Sequence, residues 1–517
     1  MRYRLAILLA LLATLPARAG DVLDSPEALV PADMPVFVKG VGLEALQGHL
    51  DAFCNKFPGP ASRKVRSFAG PLLGRPFLVA ADGTRPWGIA WGEGGEFGYE
   101  PVFLIPVEDA EAFQKALRAG MERAECRIVR GYALVSRDKE FLARFKEDLS
   151  ESLKPSPLHE DLVVSFSPSA VKYEETLLAY LLSERFPERH DSILAGLYRA
   201  DAWSAQVDRI HLGLTIGADG LHASARIRPV SGSRLSSLLA SQKPGPVRWA
   251  GLAPAGSALF VETRLDPEGW AALMNFLTKQ RDSATLALRT LREMGSGDSC
   301  LALFRGEQGW QAQGVLRPSD PERAQRFLDA EAVAWGNWLG HALGRGLSLS
   351  AEALPSREVE KLSLQPFVLT GAVEEGSGPP WSAFFPAGPR RIDAGVASSG
   401  GLLVGAAGPE AHTRLLSTAV PLGEGLEPRV ATSWAPLLAA LPADLNAACL
   451  VSLGGLLELA ARGWPGVLPE SASFPEAPVA FSFACRDGEG EATAVVPAKT
   501  LTELLEFRAK VAGQKGE

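Results

Sequence analysis

A serine and a lysine at the spacing used for acyl transfer are the most suggestive pair of residues in the sequence. Ser169-Ala170-Val171-Lys172 matches S-x-x-K and falls where a strand-like run gives way to a helical one. A lysine one helical turn after a serine can take the proton from its hydroxyl and make it a nucleophile. That chemistry also requires an S/Y-x-N element and a K-T/S-G strand, and neither occurs in the sequence.

A helix cap explains Ser169 more simply. Three other segments with the same local pattern hold Gly42, Asp266 and Gly454 at this position, which is the turn into a helix. A serine there accepts hydrogen bonds from the exposed N–H groups of the first helical turn. We therefore expect no enzyme activity, and a serine hydrolase using Ser169 and Lys172 is the last of three functional hypotheses.

The histidines, cysteines and glycines form no metal-binding or cofactor-binding pattern. None of the seven histidines has H-x-x-x-H or H-E-x-x-H spacing, and none of the five cysteines forms C-x-x-C. The glycine-rich segment from Gly92 to Gly98 has Phe97 where the third glycine of G-x-G-x-x-G belongs. We predict no catalytic, cofactor-binding or metal-binding residue, and no cofactor.

Two tryptophans and two cysteines remain as candidates for binding or cross-linking. Trp335 and Trp338 are three apart in a helical pattern and could line a ligand cleft, although packing against a sheet is the default explanation. Cys449 and Cys485 lie in apolar runs and could form a disulfide in an oxidising compartment. The alternative is that both are small, buried, free thiols.

The first nineteen residues have the three parts of a secretion signal. Two arginines precede a nearly unbroken apolar run from Leu5 to Leu15, and Ala17 and Ala19 supply the small side chains that signal peptidase needs. The run is shorter than the roughly 20 residues of a membrane-spanning helix. We predict that residues 1–19 are removed and that the mature chain is exported, to the periplasm or the medium, without a transmembrane span.

The composition is that of a globular protein without a basic surface. Of the 517 residues, 46% are hydrophobic and 22% are charged, which suffices for two or three cores. The formal net charge is −8, whereas nucleic-acid binding requires clustered Lys and Arg. We therefore predict a protein or an apolar ligand as the partner, and no nucleic acid.

Two local patterns alternate along the chain. In one, a proline precedes a strand-like run and a helix; in the other, a strand ends in proline and a helix with polar first-turn residues follows. Proline cannot donate to a sheet ladder, and its fixed φ suits the start of a helix. The prolines of the first pattern are Pro31, Pro157, Pro254 and Pro442, and those of the second are Pro106, Pro229, Pro318 and Pro497.

Hairpins fall between the two patterns. The runs 210–216 and 221–227 flank Asp219-Gly220, which is a strong signal for a tight turn. Because side chains alternate between the faces of a strand, we predict that Leu212 lies on the buried side of this ribbon and His211 on its wet side.

The repeated modules predict an α+β fold of two related halves. Each half holds two β-α-β-β-α modules with mainly antiparallel sheets. The modules could each close as a ferredoxin-like sheet, and the alternative to this closure is a larger shared antiparallel sheet. The predicted halves are 20–246, with modules from about 30 and 157, and 247–517, with modules from about 252 and 441.

Two short segments carry a resemblance to a known group of proteins. Val30-Pro31-Ala32-Asp33 and Leu441-Pro442-Ala443-Asp444 each precede a strand and a helix. In this the chain resembles exported bacterial repeat proteins of unknown function that begin with Leu/Val-Pro-Ala-Asp. The resemblance implies an extracytoplasmic location, and it transfers no activity or site residue.

The sequence as a whole favours an extracytoplasmic, non-enzymatic binding protein or envelope scaffold of unknown ligand. The first alternative is a carrier of a lipid or another apolar molecule, which the tryptophan-containing segment at about 320–340 motivates. The second alternative is the serine hydrolase described above.

Overall fold

The computed structural model describes most of the chain in separate stretches. These are residues 23–56, 80–93, 99–120, 123–146, 151–168, 205–254, 256–264, 266, 298–306, 309–324, 326, 347–359, 362–373, 390–426, 434–463 and 474–514. Contacts within the chain group it into two compact units. Unit 1 is Met1–Leu178 with Arg209–Ala218, and unit 2 is Ala179–Asp208 with Asp219–Glu517. The predicted halves, 20–246 and 247–517, stay a prediction.

The strands of unit 1 form the order β4-β5-β3-β2-β1-β6-β7, and each pair is antiparallel. Their bounds are β1 (Val36–Gly40), β2 (Trp87–Glu93), β3 (Tyr99–Pro106), β4 (Glu125–Val129), β5 (Tyr132–Ser136), β6 (Leu162–Phe166) and β7 (Val207–Gly217).

The strands of unit 2 form the antiparallel order β8-β19-β18-β17-β9-β10-β11-β16-β15-β14, and β12 and β13 both pair with β14. Their bounds are β8 (Gly220–Pro229), β9 (Leu259–Arg264), β10 (Asp298–Gly306), β11 (Gly309–Leu316), β12 (Leu347–Ala353), β13 (Arg357–Val359), β14 (Leu362–Val373), β15 (Arg390–Ser399), β16 (Leu402–Ala407), β17 (Ala447–Ser452), β18 (Pro478–Arg486) and β19 (Glu489–Pro497).

Eight α-helices are described, and several begin where a side chain caps the first turn. Asp138 accepts a hydrogen bond from the N–H of Phe141 at 2.8 Å, and Ser233 accepts one from the N–H of Ser236 at 3.1 Å. The helices in the described residues are α1 (Leu43–Lys56), α2 (Ala110–Gly120), α3 (Lys139–Leu142), α4 (Arg234–Ser241), α5 (Ala411–Gly423), α6 (Ala435–Ala439), α7 (Leu453–Gly463) and α8 (Ala498–Gln514). Short 3-10 helices span Pro26–Leu29 and Ala250–Leu252.

Each unit has its own hydrophobic core against one face of its strands. In unit 1, Phe37, Leu104 and Leu134 pack with Phe141 and Phe145 from the α3 segment. In unit 2 the core joins strands β9–β11 and β14–β19 to helix α5, through residues such as Phe260, Val404 and Leu415. None of the helices in the described residues has the length and apolarity needed to span a bilayer.

The predicted α+β fold of two halves built from β-α-β-β-α modules is wrong. The described part of the protein is mainly β, and its 19 strands pair antiparallel, with strands of different predicted modules sharing a sheet within each unit. This is closer to the alternative of a larger shared antiparallel sheet. The physical reason lies in the strand edges. β1 pairs on one side with β2 of its own module and on the other with β6 of the next, both antiparallel. Because both edges of β1 are already paired, β1 has no free edge for a further strand of its own module, which a ferredoxin-like sheet would require.

Candidate functional site

Around β10, the sheet of unit 2 has apolar side chains on both faces. Along β10, Cys300, Ala302 and Phe304 point into the hydrophobic core, whereas Leu301 and Leu303 point to the opposite side. Helix α5 packs on the core side. We call the opposite side, which contains Leu301 and its cross-strand partners, the second face.

The cross-strand pairs show that the second face continues across β9, β10, β11, β14, β15 and β16. One row runs through Val261, Leu301, Gly314, Gly405 and Val396 on β9, β10, β11, β16 and β15. The neighbouring row contains only apolar side chains as well: Leu303, Ala312, Ala407, Ala394 and Phe367.

A shallow cavity of about 390 Å³, open to solvent over most of its extent, lies on this face. Its volume is within the range of about 300–1,000 Å³ that is common for small-molecule sites. Strands β10, β11, β14, β15 and β16 form it, and the second-face side chains that line it are Ser299, Leu301, Ala312, Leu316, Phe367, Ala394, Val396, Leu403 and Ala407.

Missing side chains create the space. Gly314 and Gly405 are direct cross-strand partners in the floor of the cavity. A Cβ placed on Gly405 would meet nothing nearer than the carbonyl oxygen of Gly395 at 3.8 Å and a methyl of Val396 at 4.0 Å. As far as the described residues extend, the volume above Gly405 is therefore open, and a larger side chain there would occupy the cavity rather than clash with its floor.

No ionisable carboxylate, ammonium, guanidinium or imidazole is among the lining residues that the structure describes. The polar lining residues of the cavity include Ser299 and Gln313, and Gln313 is the cross-strand partner of Ala302 on the core side. Ser299, which lines the cavity, has its Oγ 2.8 Å from Oγ1 of Thr263 on the adjacent strand β9. The Cys300 thiol belongs to the core side, where burial raises its pKa to about 12. The site suits a molecule that is largely apolar.

Unit 1 has a second face of the same kind. Leu212, Val164, Val38, Ile89 and Phe103 form a cross-strand row through β7, β6, β1, β2 and β3. Phe103 and Leu212 are 38% and 42% exposed. Helix α2 covers only one edge of this face, where its apolar side chains join a small separate cluster.

The sequence-predicted candidates Trp335, Trp338, Ser169 and Lys172 fall outside the described residues. The cavity itself could have been anticipated from β16, whose sequence LLVGAA is apolar at every position. A strand with no polar alternation is typical of one buried on both faces.

Cys449 and Cys485 are both free thiols in the structure. Cys449 lies opposite Phe481 on β18, and Cys485 is four residues further along that strand, opposite Gly490. Four residues along a strand is about 13 Å, whereas a disulfide needs Cα atoms within about 7 Å. Burial raises the pKa of both thiols, that of Cys485 to about 12.

His211 is placed differently from the sequence prediction. His211 is buried and Leu212 is exposed, so the buried and wet sides predicted for this ribbon are reversed. His49 Nδ1 lies 2.8 Å from Oδ1 of Asp161, which is itself buried and accepts a hydrogen bond from the N–H of Ile216. Among the described residues, no group of three or more His, Cys, Asp or Glu is arranged to hold a metal ion.

Comparisons with known proteins assign the chain to no family. No family model matches the chain, and no curated protein matches it. A solved structure described as "Structure of crystal form IV of TP0453" aligns with 52% of this chain and 99% of its own, at 9% identity and a TM-score of 0.22. That similarity is too low to support an inference about fold or function.

Proposed function

We propose that the protein is an extracytoplasmic, non-enzymatic binding protein that takes an apolar molecule into the cavity on the second face of unit 2. The observation that carries the proposal is a ligand-sized cavity whose lining is apolar and without charge. Removing apolar surface from water provides about 25 cal/mol per Å², and no charged group in the lining has to lose its water.

The open shape of the cavity limits how tightly a ligand is held. A bound molecule rests on the sheet and keeps part of its surface in water. Such a ligand makes few strong contacts, and we expect dissociation constants in the micromolar range, about −7 to −8 kcal/mol.

The extracytoplasmic part of the proposal rests on the signal-peptide pattern of residues 1–19 and on the resemblance carried by Val30-Pro31-Ala32-Asp33 and Leu441-Pro442-Ala443-Asp444. Fractionation of cells that express the full chain tests it. We expect the protein outside the cytoplasm, with Gly20 at its N-terminus. Full-length protein in the cytoplasm would contradict this part alone.

A second candidate function is an envelope scaffold that binds another protein. The specific observation that favours it is the half-exposed apolar row of unit 1, from Leu212 to Phe103. Contiguous exposed apolar surface on a monomer often marks an interaction site. This candidate predicts that substitutions in the apolar row of unit 1 abolish binding of the partner protein in the cell, and that substitutions in the cavity do not.

The binding proposal is tested with N-phenyl-1-naphthylamine, an uncharged fluorophore that brightens in apolar surroundings. We expect the chain from residue 20 onward to bind it, and Gly405→Leu to weaken binding at least tenfold because the new side chain fills the cavity.

Gly48→Leu is the matched control. It makes the same substitution on the exposed side of α1, where an added Cβ would meet nothing within 4 Å, and we expect it to bind like the parent. Equal binding by folded Gly405→Leu and the parent would contradict the proposal, as would no binding by the parent.

A further inference from the structure

We propose that the cavity selects an uncharged amphiphile, in which an apolar body carries one hydroxyl or other neutral hydrogen-bonding group that meets the Ser299–Thr263 hydroxyl pair. This inference rests on the proposed function and names the ligand class for the same site.

The hydroxyl pair lies at one end of the cavity and on the correct face. Ser299 is two residues before Leu301 on β10, so both side chains point to the second face. Thr263 is the direct cross-strand partner of Ser299. On its other side Ser299 faces Leu316, which also lines the cavity. A polar group of the ligand would therefore meet hydroxyls at the point where the apolar lining ends.

The pair has hydrogen-bonding capacity left over. Each hydroxyl has one hydrogen and two lone pairs, and the 2.8 Å contact between Ser299 and Thr263 uses one of the two hydrogens. Within the described part of the chain, neither hydroxyl has another hydrogen-bond partner. One donor and several lone pairs are thus free, which matches a hydroxyl or a carbonyl oxygen of a ligand.

The charged side chains next to the hydroxyl pair in the chain already form an ion pair with each other. Arg264 and Asp298 are the neighbours of Thr263 and Ser299 in the chain, and alternation turns them to the other face. There they pair with each other, with Arg264 Nε 3.3 Å from Asp298 Oδ1. A charged head group placed against the hydroxyl pair would lose water without gaining a counter-ion, which is costly. The site therefore favours neutral ligands over anions and cations.

The test compares ligands of one chain length by displacement of N-phenyl-1-naphthylamine. The ligands are octanol, 1-chlorooctane, octanoate and octyltrimethylammonium. We expect octanol to bind at least tenfold more tightly than either charged ligand, because the cavity lining offers no counter-ion.

The decisive variant is Thr263→Val combined with Ser299→Ala. Losing one net hydrogen bond is expected to weaken octanol binding about fivefold and to leave 1-chlorooctane unchanged. Ser398→Ala is the matched control, since Ser398 lies on the same face, opposite Leu403, outside the lining. It should leave both affinities unchanged.

The outcomes separate this inference from the proposed function. Two results overturn the inference and leave the proposed function standing, provided that the parent binds the fluorophore. One is equal octanol affinity in the parent and the double variant, and the other is a charged ligand that binds as tightly as octanol. Failure of the parent to bind the fluorophore at all overturns both. Thermal unfolding of each variant confirms that it is folded.

Discussion

Glu262 is a buried carboxylate that fixes a loop of unit 2 by accepting backbone hydrogen bonds. Its two oxygens lie 2.9 and 3.1 Å from the N–H of Arg248, and one lies 2.8 Å from the N–H of Trp249. These bonds anchor the 3-10 turn that follows, whose apolar residues belong to the core. The side chain therefore links the loop to β9.

Glu262→Ala is expected to lower the free energy of unfolding by about 2 kcal/mol, because buried N–H groups lose their acceptor. Glu262→Gln keeps one acceptor oxygen and should cost less. Chemical denaturation followed by tryptophan fluorescence measures both. A smaller loss for Ala than for Gln would contradict the role assigned to these bonds.

The same residue predicts a pH dependence. Burial raises the pKa of Glu262, and the N–H groups of Trp249 and Arg248 offset this only in part. A raised folded-state pKa means that the contribution of this carboxyl to stability is full below its unfolded pKa, about 4.3, and is lost as pH rises through the folded value. The parent should therefore lose stability relative to Glu262→Gln as pH rises above about 4.3; a relative gain would contradict this.

Some residue-level contacts could not have been read from the sequence. His49 and Asp161 are 112 residues apart in the chain, and no local pattern connects them. The alternation predicted for the ribbon containing His211 and Leu212 is correct, since the two residues lie on opposite faces. The predicted burial is wrong, because the orientation of the ribbon depends on neighbouring strands. Alternation fixes which residues share a face, and only packing decides which face is buried.

Local elements were predictable from turn and helix-start residues. The turn at Ala218-Asp219 between β7 and β8 and the strands that end at Pro106, Pro229 and Pro497 are all present. At the β18–β19 hairpin, Asp487 and Gly488 both have positive φ, at 53° and 77°, as a tight hairpin turn requires. Strand partners were not predictable, since backbone edges are chemically alike and pairs such as β8 with β19 join distant segments.

Helix α5 gives the clearest prediction for an element. Leu415 is fully buried in the unit 2 core between α5 and the sheet. Leu415→Ala is expected to lower the free energy of unfolding by about 3 kcal/mol, through lost burial and the cavity left behind. Because α5 packs on the side opposite the ligand cavity, fluorophore affinity should stay unchanged under conditions in which the variant is folded.

Leu426→Ala is the matched control just after α5. Leu426 is 58% exposed, and its truncation should change the free energy of unfolding by no more than about 0.5 kcal/mol. Equal losses for the two variants in chemical denaturation would contradict the packing described for α5.

At the scale of the whole molecule, the notable property is an apolar second face in each of the two units. The sequence contained this information in strands such as β16 and β17, which have hardly any polar alternation. The second apolar face is not part of the sequence prediction, which assigns one buried and one wet face to the 210–227 ribbon. Sheets usually bury one face, and a second apolar face calls for a ligand or partner to cover it.

Photolabelling tests the central claim, ligand binding in the unit 2 cavity, most directly. The chain from residue 20 onward is irradiated with an uncharged alkyl diazirine, with and without excess octanol, and the adducts are mapped by peptide mass spectrometry. The account predicts octanol-sensitive adducts within Ser299–Leu316 and Ala394–Ala407, the segments that line the cavity, and their loss in Gly405→Leu. Adducts confined to unit 1, or adducts in the cavity that octanol does not reduce, would contradict it.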